Sequence, residues 1–102
     1  MCSKVTMGTA TATVLIDNER TRVTKWRFTE LGDNTGWHRH EYDYIVVPTL
    51  DGVLEIKGAD DSLTKSDLKT GVPYFRQKGV KHDVMNGNDG EYTFVEIEFL
   101  EN

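Results

Sequence analysis

The sequence predicts an all-β fold, on three observations. Apolar residues nowhere recur at helical spacing over three turns. Glycine, proline, asparagine and aspartate interrupt short apolar runs along the whole chain. About eight to ten short strands fit the length, which is typical of a sandwich or a jelly roll, and the strand count does not choose between them.

Two strands are predicted in the first third of the chain. Residues 14–16 form a short run rich in β-branched side chains, and a turn closes it. Residues 22–29 then alternate, with Thr24, Trp26 and Phe28 on one face. We expect Trp26 and Phe28 to belong to the core.

A longer strand is predicted over residues 37–47, after a glycine-rich loop and before a break at Pro48. Turn residues separate the runs that follow it. The remaining strands are predicted at residues 53–57, 66–69, 73–77, 81–85 and 92–100.

The last of these strands has two distinct faces. Glu96 and Glu98 share one face, and Val95, Ile97 and Phe99 form the other. We expect the apolar face to pack between sheets and the glutamates to face solvent. In the reverse arrangement, Glu96 would be an acid inside the fold.

The chain of 102 residues fits one domain with one core. We predict a tail or edge strand at residues 1–12 and a single domain over residues 13–102. The apolar content of 37% is modest for a core of this size, so we expect a homodimer.

Composition argues against several classes of partner. Seventeen acidic and twelve basic residues give a net charge of -5, which repels a nucleic-acid backbone. The longest apolar cluster, residues 44–47, is far shorter than the roughly 20 residues that cross a bilayer, and no signal pattern opens the chain. We therefore expect a cytoplasmic protein without membrane contact. Cys2 is the sole cysteine, which excludes an intrachain disulfide, and we assign it no role.

Three histidines are candidates for metal ligands. His38 and His40 are two apart on a predicted strand, so both side chains would point to the same face, roughly 6.6 Å apart at their attachment points. One metal ion can bridge that gap, and His82 is the only other histidine that can complete the site. The alternative is a His-x-His pair on a solvated strand face.

Two segments resemble the conserved motifs of the cupin family. Residues 35–40, followed by a strand and Gly52, resemble the first motif, in which two histidines, a glutamate and a glycine follow at set spacings. The second motif is matched, at the spacing of the family, by Gly71, Gly79, His82 and Asn86.

The resemblance covers about residues 14–100 and implies a jelly-roll barrel, also called a double-stranded β-helix. It implies one divalent transition metal ion, such as iron, nickel or zinc, held inside by His38, His40 and His82. It also implies that the motif glycines allow tight turns or positive φ angles.

The glutamate ligand of the first motif has no counterpart in this chain. Counting from His40 places Tyr44 at its position, and counting back from Gly52 places Ile45 there. Asp43 is adjacent, but on a regular strand it would face away from the histidines unless a bulge resets the register. We therefore favour a three-histidine site, with water or substrate completing the coordination shell.

Three further residues are candidates for catalytic roles. Tyr42 and Tyr44 share the predicted face of the histidines and could move a proton, although a purely structural aromatic wall is the alternative. Arg76 lies on the strand that enters the second motif and could clamp a carboxylate through paired hydrogen bonds, or it could be solvated.

Within the cupins, residues 23–28, 42–48 and 74–76 look like those of a subgroup of small bacterial single-barrel proteins, one of which is associated with β-alanine degradation. The resemblance suggests a small-molecule ligand of the amino or carboxylic acid class. We therefore predict a metal-dependent oxygenase, isomerase or lyase. The alternative is a non-catalytic cupin that binds or senses a small ligand.

Overall fold

The computed structural model describes residues 8–100, and within that range the protein consists of nine β-strands in two antiparallel sheets. This confirms the all-β prediction. Cys2 and most of the predicted tail lie outside the described residues. Among residues 8–100, no helix is long and apolar enough to cross a membrane. In chain order, the strands are β1 (Thr11–Asp17), β2 (Thr21–Phe28), β3 (His38–Arg39), β4 (Tyr44–Pro48), β5 (Gly52–Gly58), β6 (Leu63–Leu68), β7 (Tyr74–Arg76), β8 (Lys81–Asn86) and β9 (Tyr92–Phe99).

The two sheets have the topology of a double-stranded β-helix. One has five strands in the order β1-β2-β9-β4-β7, and the other has four in the order β3-β8-β5-β6. Consecutive strands of the chain therefore often lie in different sheets. This topology decides between the two architectures that the strand count left open, in favour of the jelly roll.

The core lies between the two sheets. Phe28 of β2 is completely buried, and its ring packs 5.9 Å from that of Phe94 on β9. The predicted alternation of β2 is confirmed, because Thr24 and Phe28 are buried while Lys25 and Arg27 are exposed. The other buried apolar side chains are Tyr44, Val46, Leu54, Leu68, Val84 and Tyr92.

The predicted single strand over residues 37–47 is wrong. It consists of β3 in the four-stranded sheet and β4 in the five-stranded sheet, joined by residues 40–43. At this point the chain crosses from one sheet to the other. His38 and His40 therefore do not owe their common direction to simple strand alternation.

The expected orientation of β9 is also wrong. Glu96 and Glu98 face the interior and are only 6% and 2% exposed, whereas Val95, Ile97 and Phe99 lie half-buried on the outer face. Strand alternation separates two faces but does not say which one is inside. The inward face of β9 is set by Tyr92 and Phe94, which belong to the core.

A row of apolar side chains crosses the outer face of the five-stranded sheet, one residue from each strand. Each residue of this outer row is the register partner of the next. In strand order, the outer row is Ile16, Val23, Ile97, Ile45 and Phe75. Its two ends are about half exposed, Ile16 at 50% and Phe75 at 51%.

Candidate metal centre

The three histidines converge because β3 pairs with β8. His38 and His82 are direct register partners in this antiparallel pair. His40 follows β3, and its backbone N–H donates to the carbonyl of Val80 at 2.9 Å. The backbone N–H of Gly79 returns a hydrogen bond to the carbonyl of His40 at 2.8 Å. Gly79 has a φ of 99°, a conformation that glycine adopts without strain, as expected for this motif position.

The imidazole nitrogens meet at one point inside the barrel. The Nε2 atom of His40 lies 3.0 Å from Nε2 of His38 and 3.1 Å from Nε2 of His82. The three side chains are 4%, 1% and 9% exposed for His38, His40 and His82. The rings stand at steep angles to one another, between 71° and 89°.

This geometry fits one divalent metal ion. Histidine nitrogens bind zinc at about 2.0–2.1 Å, and two such ligands at right angles around an ion lie about 3.0 Å apart. The observed separations agree with that value. His38, His40 and His82 could therefore hold a metal ion together.

The loop before β3 sets the tautomer and the direction of His38. Its Nδ1 lies 2.9 Å from the carbonyl oxygen of Gly36, so Nδ1–H donates and the Nε2 lone pair points to the other histidines. The backbone N–H of Gly36 donates to Asp83 Oδ1 at 3.0 Å. The Thr35 hydroxyl oxygen accepts from the backbone N–H of Val84 at 3.2 Å, which ties the loop to β8.

Burial keeps the histidines neutral. It lowers the pKa of His38 below its ordinary value. Burial and the neighbouring His38 lower the pKa of His40 to about 2 and that of His82 to about 3. Metal ligation requires neutral imidazole, so the site already has the right protonation state at neutral pH.

Tyr44 lies at the start of β4, where the count from His40 places the glutamate of the first motif. Its side chain is 2% exposed, and its ring stacks on the ring of His40 with centroids 3.8 Å apart. Asp43 instead accepts a hydrogen bond from the backbone N–H of Lys78 at 2.9 Å.

The carboxylates near the histidines come from β9, which sequence reasoning placed in solvent. One ligand atom each of His40, Glu96 and Glu98 lies within 4.8 Å of the others. Glu98 pairs with the guanidinium of Arg22 at 3.4 Å. Burial, and then the neighbouring Glu98, raise the pKa of Glu96 to about 8. Strand alternation places Glu96 and Glu98 on the same face as Tyr92 and Phe94. This alternation is the sequence signal that could have identified the two glutamates as interior residues.

A cavity of about 240 Å³ contains the three histidines, and Tyr44 and Arg76 also line it. Arg76 lies at the exposed end of β7, where its guanidinium carbon is 4.4 Å from the centroid of the Tyr74 ring. Trp26 also lines the cavity, with its ring 6.4 Å from that of His38, so it is not purely a core residue.

Tyr42 is not brought to the cavity. It lies half-buried in the segment between β3 and β4, outside the cavity lining. The structure therefore brings together five of the six residues that the sequence singled out, namely His38, His40, His82, Tyr44 and Arg76.

No protein-family model matches the chain. Among solved structures, a cupin domain from Bordetella pertussis Tohama I is 47% identical and superposes with a TM-score of 0.85, covering 94% of this chain and 98% of that one. The chain belongs to the cupin superfamily.

This cupin also has a curated relative. It is 44% identical over 89 residues to the β-alanine degradation protein BauB of Pseudomonas aeruginosa, covering 87% of this chain and 92% of the relative. The polyketide cyclase RemF from Streptomyces resistomycificus superposes with a TM-score of 0.70 at 21% identity, covering 91% of this cupin and 66% of RemF. At that identity, the likeness concerns the fold alone.

Proposed function

We propose that this cupin is a metal-dependent enzyme that acts on a small polar carboxylic or amino acid. The observation that carries the proposal is the convergence of three neutral histidine Nε2 atoms within a cavity that Arg76 also lines. The substrate class is supported by Arg76 and by the name of the relative BauB, which links that protein to β-alanine degradation.

His38, His40 and His82 would hold the ion, with iron, nickel and zinc as the candidates. When bound, it would supply Lewis acidity, or redox chemistry with oxygen if it is iron. The ligands are neutral, so the ion would retain its charge and attract an anionic substrate group. Oxygenation, isomerisation and elimination are the reaction types that suit such a site.

Arg76 and Tyr44 would act on the substrate. The guanidinium of Arg76 would receive a substrate carboxylate through paired hydrogen bonds. Tyr44 would hold or move a proton beside the histidines, because its ring stacks against His40 inside the cavity. Tyr42 is the other tyrosine proposed for proton transfer, and its position outside the lining makes Tyr44 the stronger candidate.

Elemental analysis of protein purified without an affinity tag tests the metal site. We expect about one equivalent of a transition metal, lost in both His38→Ala and His82→Ala. Arg39→Ala is the matched control, because Arg39 lies on β3 beside His38 and is exposed. A parent that takes up no iron, nickel or zinc on incubation would refute the proposed centre.

Turnover is tested by screening small carboxylic and amino acids with oxygen uptake and product analysis. We expect activity that disappears on metal removal and falls in Tyr44→Phe and Arg76→Gln, with Tyr42→Phe separating the two tyrosines. Full activity in a metal-free preparation would contradict the proposal. Saturable binding without any product would support the second candidate, a cupin that binds or senses its ligand.

We also propose that the chain works in the cytoplasm as one cupin domain, over residues 13–102, and as a homodimer. The outer row supports the dimer, because an apolar stripe across a sheet is self-complementary about a two-fold axis. In sedimentation or light scattering, the parent should have twice the chain mass. The double variant Ile16→Lys/Phe75→Lys should be monomeric, and Leu63→Lys, at an exposed apolar position of the other sheet, should not. A monomeric parent would refute the dimer.

A further inference from the structure

Glu96 lines the same cavity as the three histidines. It lies on β9, is 6% exposed, and is the register partner of Val46 on β4, which in turn pairs with Tyr74 on β7. The inward faces of the three strands β9, β4 and β7 thus form one wall, with Glu96 on β9 and Arg76 on the edge strand β7.

The carboxyl group of Glu96 has no protein partner among residues 8–100. No hydrogen bond or ion pair joins it to another side chain or to the backbone in that range, and its charged neighbour is Glu98, of the same sign. Glu98, two residues along the same strand, has the Arg22 guanidinium instead. Buried polar groups in folded proteins nearly always have a partner, so a lone carboxyl group in a cavity indicates a ligand group that meets it.

The charges around the cavity indicate the kind of ligand group. Arg22, the cation that reaches β9, is engaged by Glu98. Arg76 lies two strands away, over the Tyr74 ring. The wall at Glu96 therefore offers a carboxyl group without a cation, whereas the histidine centre and Arg76 suit an anion. A ligand that carries an amino group at one end and a carboxylate at the other matches both.

The dimensions restrict the ligand to a short molecule. An oxygen of Glu96 lies within 4.8 Å of a ring nitrogen of His40. The cavity of about 240 Å³ is below the roughly 300–1,000 Å³ of pockets that hold drug-sized ligands. Only a few bonds can separate the two charged ends of the ligand.

We propose that Glu96 receives the amino group of the substrate and makes the site selective for short amino acids over carboxylic acids without an amino group. The inference rests on the proposed function, because the carboxylate end of the substrate is assigned there to the histidine centre or to Arg76. Glu96 is then a substrate-contacting residue on the opposite wall from the metal ligands.

The test compares two probes, β-alanine and propionate, which differ only in the amino group. Their dissociation constants are measured by calorimetry on the metal-loaded parent, on Glu96→Gln, and on Glu55→Gln, which makes the same substitution on another strand, outside the cavity lining. We expect the parent to prefer β-alanine about 10- to 100-fold, the strength of a charge-assisted contact. Glu96→Gln should lose most of this preference, and Glu55→Gln should keep it.

The outcomes separate this inference from the proposed function. A metal-dependent parent that binds propionate as tightly as β-alanine would overturn the role of Glu96 while leaving the acid-binding centre intact. Because this comparison uses the parent alone, it holds even if Glu96→Gln does not fold. A preference that survives in a folded, metal-loaded Glu96→Gln would also overturn it. A metal-loaded parent that binds neither acid would overturn the inference, and the screen of other small acids would then decide the proposed function.

Discussion

The substitution Glu96→Gln should change how the stability of the metal-free protein depends on pH. The folded-state pKa of Glu96, about 8, lies above the ordinary value of 4.5 because the side chain is buried beside Glu98. A raised pKa means that the unfolded chain ionises first. The contribution of Glu96 to stability is therefore fully present below pH 4.5 and is lost as the pH rises towards 8.

The size of the effect follows from the two pKa values. Each unit of difference corresponds to about 1.4 kcal/mol, so the parent loses about that much unfolding free energy per pH unit inside this window. Between pH 5 and pH 7, the loss should amount to roughly 2–3 kcal/mol. Glutamine has a similar shape and does not titrate, so the variant should not show this loss.

Urea denaturation of chelator-treated parent and variant at pH 5, 6 and 7 measures the effect. The difference between the two unfolding free energies isolates Glu96, because the titration of the histidines is common to both proteins. We expect the unfolding free energy of the variant to increase relative to that of the parent as the pH rises. Parallel curves across the three pH values would show that Glu96 ionises normally and would refute the reasoning.

Further predictions follow from the core, the turns and the histidines. Leu54→Ala should lower the unfolding free energy by about 2–5 kcal/mol in urea denaturation, because Leu54 is 1% exposed in the core. Asn86→Ala should cost roughly 2–4 kcal/mol in the same assay, because its side-chain amide donates to the carbonyls of Glu30 and Gly90 at 3.0 and 2.8 Å. Gly79→Ala should cost about 1–2 kcal/mol, because its φ is 99°, and a melting curve unchanged from that of the parent would contradict this. Acid should destabilise the metal-free protein as the pH falls below about 6.5, because the histidine pKa values are lowered in the folded state and protonation favours the unfolded chain; urea denaturation of Glu96→Gln at pH 7, 6 and 5 checks it.

Local sequence signals predicted much of the fold. The alternation of Thr24 and Phe28 identified the inward face of β2, and the punctuation by turn residues placed most strands within a few residues. The expected positive φ angles are present at Gly71 and Gly79. These features depend on a few neighbouring residues, which is why one sequence is enough to predict them.

Features that depend on the pairing between strands were not predictable in this way. The run from Trp37 to Val47 contains no strong breaker, yet the chain changes sheet within it, because His38 pairs with β8 and Tyr44 with β9. The prediction of which face of β9 points inward failed for a similar reason. Its apolar face suggested a core, but Glu96 lines the cavity that holds the histidines, and Ile97 belongs to the outer row.

The shortness of β3 has a consequence for the kinetics of metal exchange. The strand that carries His38 is joined to β8 through only two register pairs, His38 with His82 and Arg39 with Lys81. Together with the flanking backbone hydrogen bonds of Thr35 to Val84 and of His40 to Val80, this short ladder is a smaller unit than the whole barrel and can open locally at lower free energy. Release and uptake of the ion should then follow the fraying of β3, and amide hydrogen exchange at Arg39 should slow on metal loading while that in the β2–β9 pair changes little.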